Sequence, residues 1–145
     1  MKKIISLVLS IMVMLSLAAC KSDDYVPTTW KTLAITATLY DETMNELGEL
    51  HSKGKLNDES AYKAISFGKK FTPLYFTAVN ALETFAKNPT EDKLDVVKNA
   101  VQSAVDSLDL LMEFAKSFGV DKAKEVESKV TDTNAQELAT TTIKE

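Results

Sequence analysis

The chain contains no arginine: all 17 of its basic residues are lysine. The planar, forked guanidinium that pairs bidentately with phosphate, carboxylate or guanine is therefore missing, so specific recognition of nucleic acid or phosphate lacks its usual carrier. The lysines alternate with acids along the chain, and no basic stripe for DNA or RNA emerges. Histidine is nearly absent as well, with His51 alone. The paired Glu-x-x-His motifs of bundle di-iron sites are thus excluded. A single cysteine, Cys20, rules out an intrachain disulfide and Cys-x-x-Cys-His haem attachment. With four glycines and three prolines there is no collagen-like period and no glycine-rich phosphate loop. Alternation of the strand type is also missing.

What is present fits one globular domain: 145 residues, 45% apolar, 26% charged, with a formal charge of −4. The distribution is uneven. Met1 to Ala19 holds two lysines, no acids and 14 apolar residues, and the remainder carries 15 lysines against 21 acids. Lys2 and Lys3 precede an apolar stretch from Ile4 to Ala19. As a helix this stretch spans about 24 Å, short of a bilayer core of about 30 Å, and it ends in small residues, which is the pattern of an export signal.

The boundary Leu17-Ala18-Ala19-Cys20 resembles the lipobox of bacterial lipoproteins. The resemblance implies cleavage before Cys20, a diacylglyceryl group on its thiol, and acylation of the new amino terminus in Gram-negative bacteria. Cys20 is then an anchor, and the membrane is a partner through its lipid. Multiple acyl chains give stable attachment without a spanning helix. Lys21 follows the anchor where the family's inner-membrane retention signal has Asp. The resemblance therefore implies the outer membrane, facing the periplasm, with a Gram-positive cell surface as the alternative. On this reading residues 1–19 are the signal peptide and 20–27 a lipidated tether of at most about 25 Å. Residues 28–119 form the folded part, and 120–145 a short helix or a disordered tail.

The folded part reads as all-α, an antiparallel up-down-up three-helix bundle with room for a short fourth helix. Trp30, Leu33, Ala37, Tyr40, Met44 and Leu47 step by three and four, as a helical stripe must. Thr28 or Thr29 serves as a cap, and Gly54 marks the end. Asn57 or Asp58 opens a second helix of about 30 residues that closes at Asn88-Pro89, with a principal stripe of Ala61, Ile65, Gly68, Tyr75, Ala78, Leu82 and Phe85. Its surplus of apolar residues predicts the most enclosed of the three helices, and Pro73 predicts a kink or a break. Thr90, Glu91 and Asp92 restart the chain. Leu94, Val97, Val101, Ala104, Leu108, Leu111, Ala115 and Phe118 then keep three-four spacing up to Gly119. Helices of similar length with short joins pack as antiparallel neighbours.

Chemistry is sparse. His51 sits at a helix end, where the dipole favours positive charge, and Asp41, Glu42, Glu46 and Glu49 form a solvated acidic face. Met44 and Met112 are the remaining haem-type ligands, but Met44 belongs to the apolar stripe. Ser52 and Ser60 lie near His51 without a nucleophile elbow. No catalytic residue, metal site or cofactor is nominated. The surplus aromatics Phe67, Phe71 and Phe76 have two readings: core of an enclosed helix, which their spacing favours, or a patch for an envelope protein or an apolar ligand beside Pro73.

The stretch from Tyr40 to Phe85 resembles small helical bacterial lipoproteins, some of them prophage-carried, in Tyr40-Asp41-x-Thr43-Met44, Gly54-Lys55-Leu56 and Gly68-Lys69-Lys70-Phe71. The expectation is a membrane-anchored, non-enzymatic interaction or structural protein of the cell envelope. An apolar-ligand module is the alternative, and the resemblance extends to a prophage role in blocking a surface receptor.

Overall fold

A computed structural model of the protein describes residues 22–121. Cys20 with its preceding segment, and the expected fourth helix or tail beyond Asp121, lie outside these residues. Three helices make up the described chain: α1 (Ser22–Ser52), α2 (Asp58–Lys87) and α3 (Glu91–Lys116). No strand occurs among the described residues.

The helix ends follow local chemistry. Asn57 caps α2 by accepting a 2.8 Å bond from the Ser60 N–H, and Asp58 and Glu59 place negative charge at its positive end. Thr90 occupies the cap of α3 in extended backbone, ahead of Glu91 and Asp92. Gly54 and Gly119 adopt φ of 68° and 87°, a left-handed conformation that side chains disfavour. At both sites the next residue folds back on the helix: Lys55 N–H donates to the Leu50 carbonyl and Val120 N–H to that of Ala115. This is the Schellman arrangement, and buried Val120 adds its apolar contact.

Aromatic contacts set the direction of packing. Tyr25 meets Phe85 edge-on at 5.7 Å, and Tyr40 stacks on Phe71 at 4.4 Å. Residue numbers thus rise along α1 as they fall along α2, which makes the two antiparallel. Phe67 meeting Phe114, and Phe85 sharing a cluster with Val97, give the same result for α2 and α3. The bundle is therefore up-down-up. One apolar cluster, with Leu47, Leu56, Phe71, Leu108 and Leu111, fills the end nearest the α1–α2 turn. Another, with Tyr25, Leu33, Leu82, Phe85, Val97 and Val101, fills the opposite end. Tyr75 packs against both.

Several expectations need correction. The segment expected to be a tether is helical from Ser22 through Pro27, because Tyr25 is buried against Phe85 and draws the helix back beyond Pro27. Pro27 is tolerated so near the start because it forfeits a single backbone bond. The seam of α1 is not the one read from its large residues. Trp30 is 37% exposed, whereas Thr29, Thr36 and Thr43 are 0, 4 and 0% exposed. The Thr29 and Thr36 hydroxyls each bond at 2.8 Å to the carbonyl four residues back, Tyr25 and Thr32 respectively. The polar atom is satisfied within its own helix, and threonine packs through its methyl group. In α2 the seam is Ala64, Gly68, Phe71, Tyr75, Ala78, Leu82 and Phe85, while Ile65 is exposed. The stripe of α3 packs as read, with Leu94 and Phe118 half-buried at its ends, and α3 rather than α2 is the most enclosed helix. Pro73 does not break α2; Lys69 and Pro73 are both exposed, so water reaches the carbonyl that loses its donor.

At Gly68 the Tyr40 side chain of α1 lies directly against the α2 backbone. A Cβ built there would lie 2.5 Å from the Tyr40 hydroxyl oxygen and 3.6 Å from the next ring atom. Gly68→Ala therefore displaces a stacked ring, and we expect a loss of about 1 kcal/mol or more in urea unfolding despite the gain of about 1 kcal/mol in helix propensity. In a Tyr40→Phe background the obstructing oxygen is gone, and the same substitution is expected to become neutral or stabilising.

Candidate functional site

The three aromatics read as a patch do not share a surface. Phe71 is 3% exposed, sandwiched between the Tyr40 ring at 4.4 Å and the Tyr75 ring at 5.7 Å. Phe67 is half-buried against Phe114 at 5.4 Å, on the side of α2 that meets α3. Phe76 alone is exposed, at 57%. The helical period explains the split: Phe67 and Phe71 are one turn apart, but nine residues separate Phe67 from Phe76, which carries it to the opposite side. Phe71 and Tyr75 thus take up the space beside Pro73 that an apolar ligand on the core side would need.

A different apolar flank is exposed in its place. Tyr62, Ile65 and Phe76 project on one side of α2, with exposed Lys69 and Thr72 between them. Sequence reasoning missed this flank because it placed Ile65 in the seam. Exchanging Ile65 for Ala64 and Phe71 as seam residues would have revealed it. The flank is broken by a charge and a hydroxyl, and it offers aromatic area without forming a cleft.

His51 does not enter a catalytic arrangement in the described residues. Its Nε2 lies 2.8 Å from the Asp58 carboxylate across the α1–α2 turn, and both groups are exposed. Ser52 instead donates to the Glu49 carbonyl at 2.9 Å, and the Ser60 N–H is engaged by Asn57. Neither serine is paired with the imidazole. Of the acidic face of α1, Glu49 is bonded to Lys53 at 2.8 Å, which holds its carboxyl below the ordinary range. Met44 and Met112 pack against the apolar cluster at the turn end of the bundle. Among the described residues no group of three or more metal-type ligands converges, and no helix is long and apolar enough to cross a membrane.

The strongest electrostatic perturbation falls on α3, where the sequence drew no attention. Burial pushes the Asp109 carboxyl up to about 6, and the neighbouring charges of Asp106 and Glu113 add to the effect. The three lie within two turns on one side of the helix. Sequence spacing shows the three acids together, but only packing shows that the middle one is partly removed from water. Elsewhere on α3, the Phe114 ring centre lies 5.3 Å from Lys63.

Asp109 makes stability pH-dependent. The folded protein holds its proton more tightly than the unfolded chain does. Its stabilising contribution is therefore complete below about pH 4 and is lost as the pH rises through about 6. We expect the Asp109 share of stability to be lower at pH 7.5 than at pH 5 by on the order of 1 kcal/mol, allowing for solvent screening. Asp109→Asn should remove that share and be the more stable protein at pH 7.5, as read by urea denaturation at both values. His51→Ala, which severs only an exposed contact, is expected to change stability by less than about 0.5 kcal/mol. The chain matches no protein-family model, no curated protein and no solved structure.

Proposed function

We propose that the protein is a lipoprotein of the bacterial cell envelope, held to the membrane by lipid on Cys20, that acts as a non-enzymatic interaction or structural protein. The observation that carries this reading is the order of features at the start of the chain. Lys2 and Lys3, an apolar stretch too short to span, and Leu17-Ala18-Ala19-Cys20 occur in the order that export and lipidation require. Lys21 in place of a retention Asp favours the outer membrane, with the folded part in the periplasm; a Gram-positive surface is the corresponding location in a host without that membrane.

By Ser22, two residues beyond Cys20 in sequence, the chain is already helical, so the bundle would sit close to the lipid surface instead of on a loose tether. The sequence nominates no catalytic group, and the described His51 faces one carboxylate and no serine hydroxyl. A role in blocking a surface receptor would use the same placement, since a bundle held at the membrane is positioned to meet a neighbouring envelope protein. The exposed flank of Tyr62, Ile65 and Phe76 supplies aromatic contact area for such an encounter.

The full chain, expressed in a bacterial host with lipoprotein processing, is expected to appear in the membrane fraction and to carry diacylglyceryl and fatty-acyl mass on Cys20 after removal of residues 1–19. Cys20→Ala should abolish the added mass and release or stall the protein. Wild-type protein recovered unlipidated would refute the reading.

A further inference from the structure

The three helices are not bound to one another by equal means. Every second position in the α1 seam, at Thr29, Thr36 and Thr43, is a buried threonine, where α2 and α3 present mainly aliphatic and aromatic residues. The hydroxyls of Thr29 and Thr36 are spent on carbonyls of α1 itself, so they add nothing across the interface. The Thr43 hydroxyl is fully buried and has no hydrogen-bond partner, a cost borne only while α1 is docked. Tyr25, at the far end of the same helix, buries its phenolic oxygen, and that burial raises its pKa against the opposing effect of Thr29. Opening α1 returns both oxygens to water.

The α2–α3 contact has no such penalty at its centre. Leu82 and Phe85 on α2 share a cluster with Val97 and Val101 on α3, and Phe67 and Phe114 add a ring contact outside the seam. A three-residue join at Asn88–Thr90 keeps these two helices together, whereas α1 reaches them through the longer turn at Lys53–Asn57. The Tyr40 ring of α1 packs over Gly68 and stacks on Phe71 of α2.

We infer that α1 is a hinged cover that opens as a unit about the 53–57 turn, ahead of global unfolding, and exposes the apolar face of an intact α2–α3 hairpin. The opening uncovers Gly68, Phe71 and Ala78 on α2, a surface hidden in the closed bundle. A helix whose seam gives every second position to threonine, and whose Thr43 hydroxyl is buried without a partner, belongs to the low-stability end of the structure, where local opening is drawn from.

Native-state hydrogen exchange on the folded protein at low urea concentrations tests this. The amides of Leu33 and Leu47 in α1 are expected to exchange at least about tenfold faster than those of Leu82 and Val101. Thr43→Val, which keeps the side-chain shape and removes the unpaired hydroxyl, should slow Leu33 and Leu47 by about tenfold. Phe114→Leu weakens the α2–α3 contact, which is made in both the closed and the opened states. It should speed exchange at Leu82 and Val101 and leave Leu33 and Leu47 unchanged. One common rate for all four amides, or Phe114→Leu accelerating all four in step, would show a single cooperative unit and overturn the hinge. No slowing in Thr43→Val would overturn the threonine explanation.

Discussion

The antiparallel contact between α2 and α3 is the interaction on which the rest of the structure depends. Leu82, Phe85, Val97, Val101, Leu108 and Leu111 remove apolar surface from water at about 1.5 to 3 kcal/mol per large side chain. The three-residue join at Asn88–Thr90 permits little other than a reversal of direction. Once these two helices are paired, their facing residues leave one long furrow. The composition of that furrow, with Gly68 and Ala78 between larger neighbours, decides how the first helix can lie. Tyr40 finds room at Gly68 and stacks on Phe71, while Tyr25 closes the far end against Phe85.

The first helix answers that furrow with threonines set between larger buried residues such as Leu33, Leu39 and Leu47. A leucine at Thr29, Thr36 or Thr43 would add bulk where the residues are already buried, whereas threonine supplies a methyl group and disposes of its hydroxyl locally. The arrangement gives close approach at the cost of apolar area, and at Thr43 the disposal fails. Helix α1 therefore carries less of the stability than its 31 residues suggest.

Among the described residues the outstanding features are surface ones, an exposed aromatic flank and a crowded carboxyl. The exposed aromatics of α2 are interrupted by Lys69, and the acids of α3 crowd Asp109 without converging with other elements on a common ligand point. Neither feature resembles a cleft that orients a substrate. Both modulate how the bundle presents itself: the first offers contact area, and the second ties stability to protonation.

Much of the architecture was legible in the residue order. Gly54, Asn57 and Gly119 mark turns and caps because backbone groups at helix ends need partners or a left-handed residue, a requirement satisfied within a few positions, and Thr90 marks its helix start by extended backbone alone. The α3 stripe was legible because its buried positions, Ser107 apart, are conventionally apolar. The α1 seam was not, since threonine counts as polar until its hydroxyl is seen bonded to a carbonyl four residues back. The patch of Phe67, Phe71 and Phe76 dissolved for a related reason: equivalent aromatic residues acquire different surroundings when neighbouring helices cover one side and leave the other open. The sequence by itself determined the helical class and the turns, which are local. The tertiary structure decided which side of each helix is buried, which aromatics are exposed and which carboxyl is perturbed, because burial is set by residues far apart in the chain.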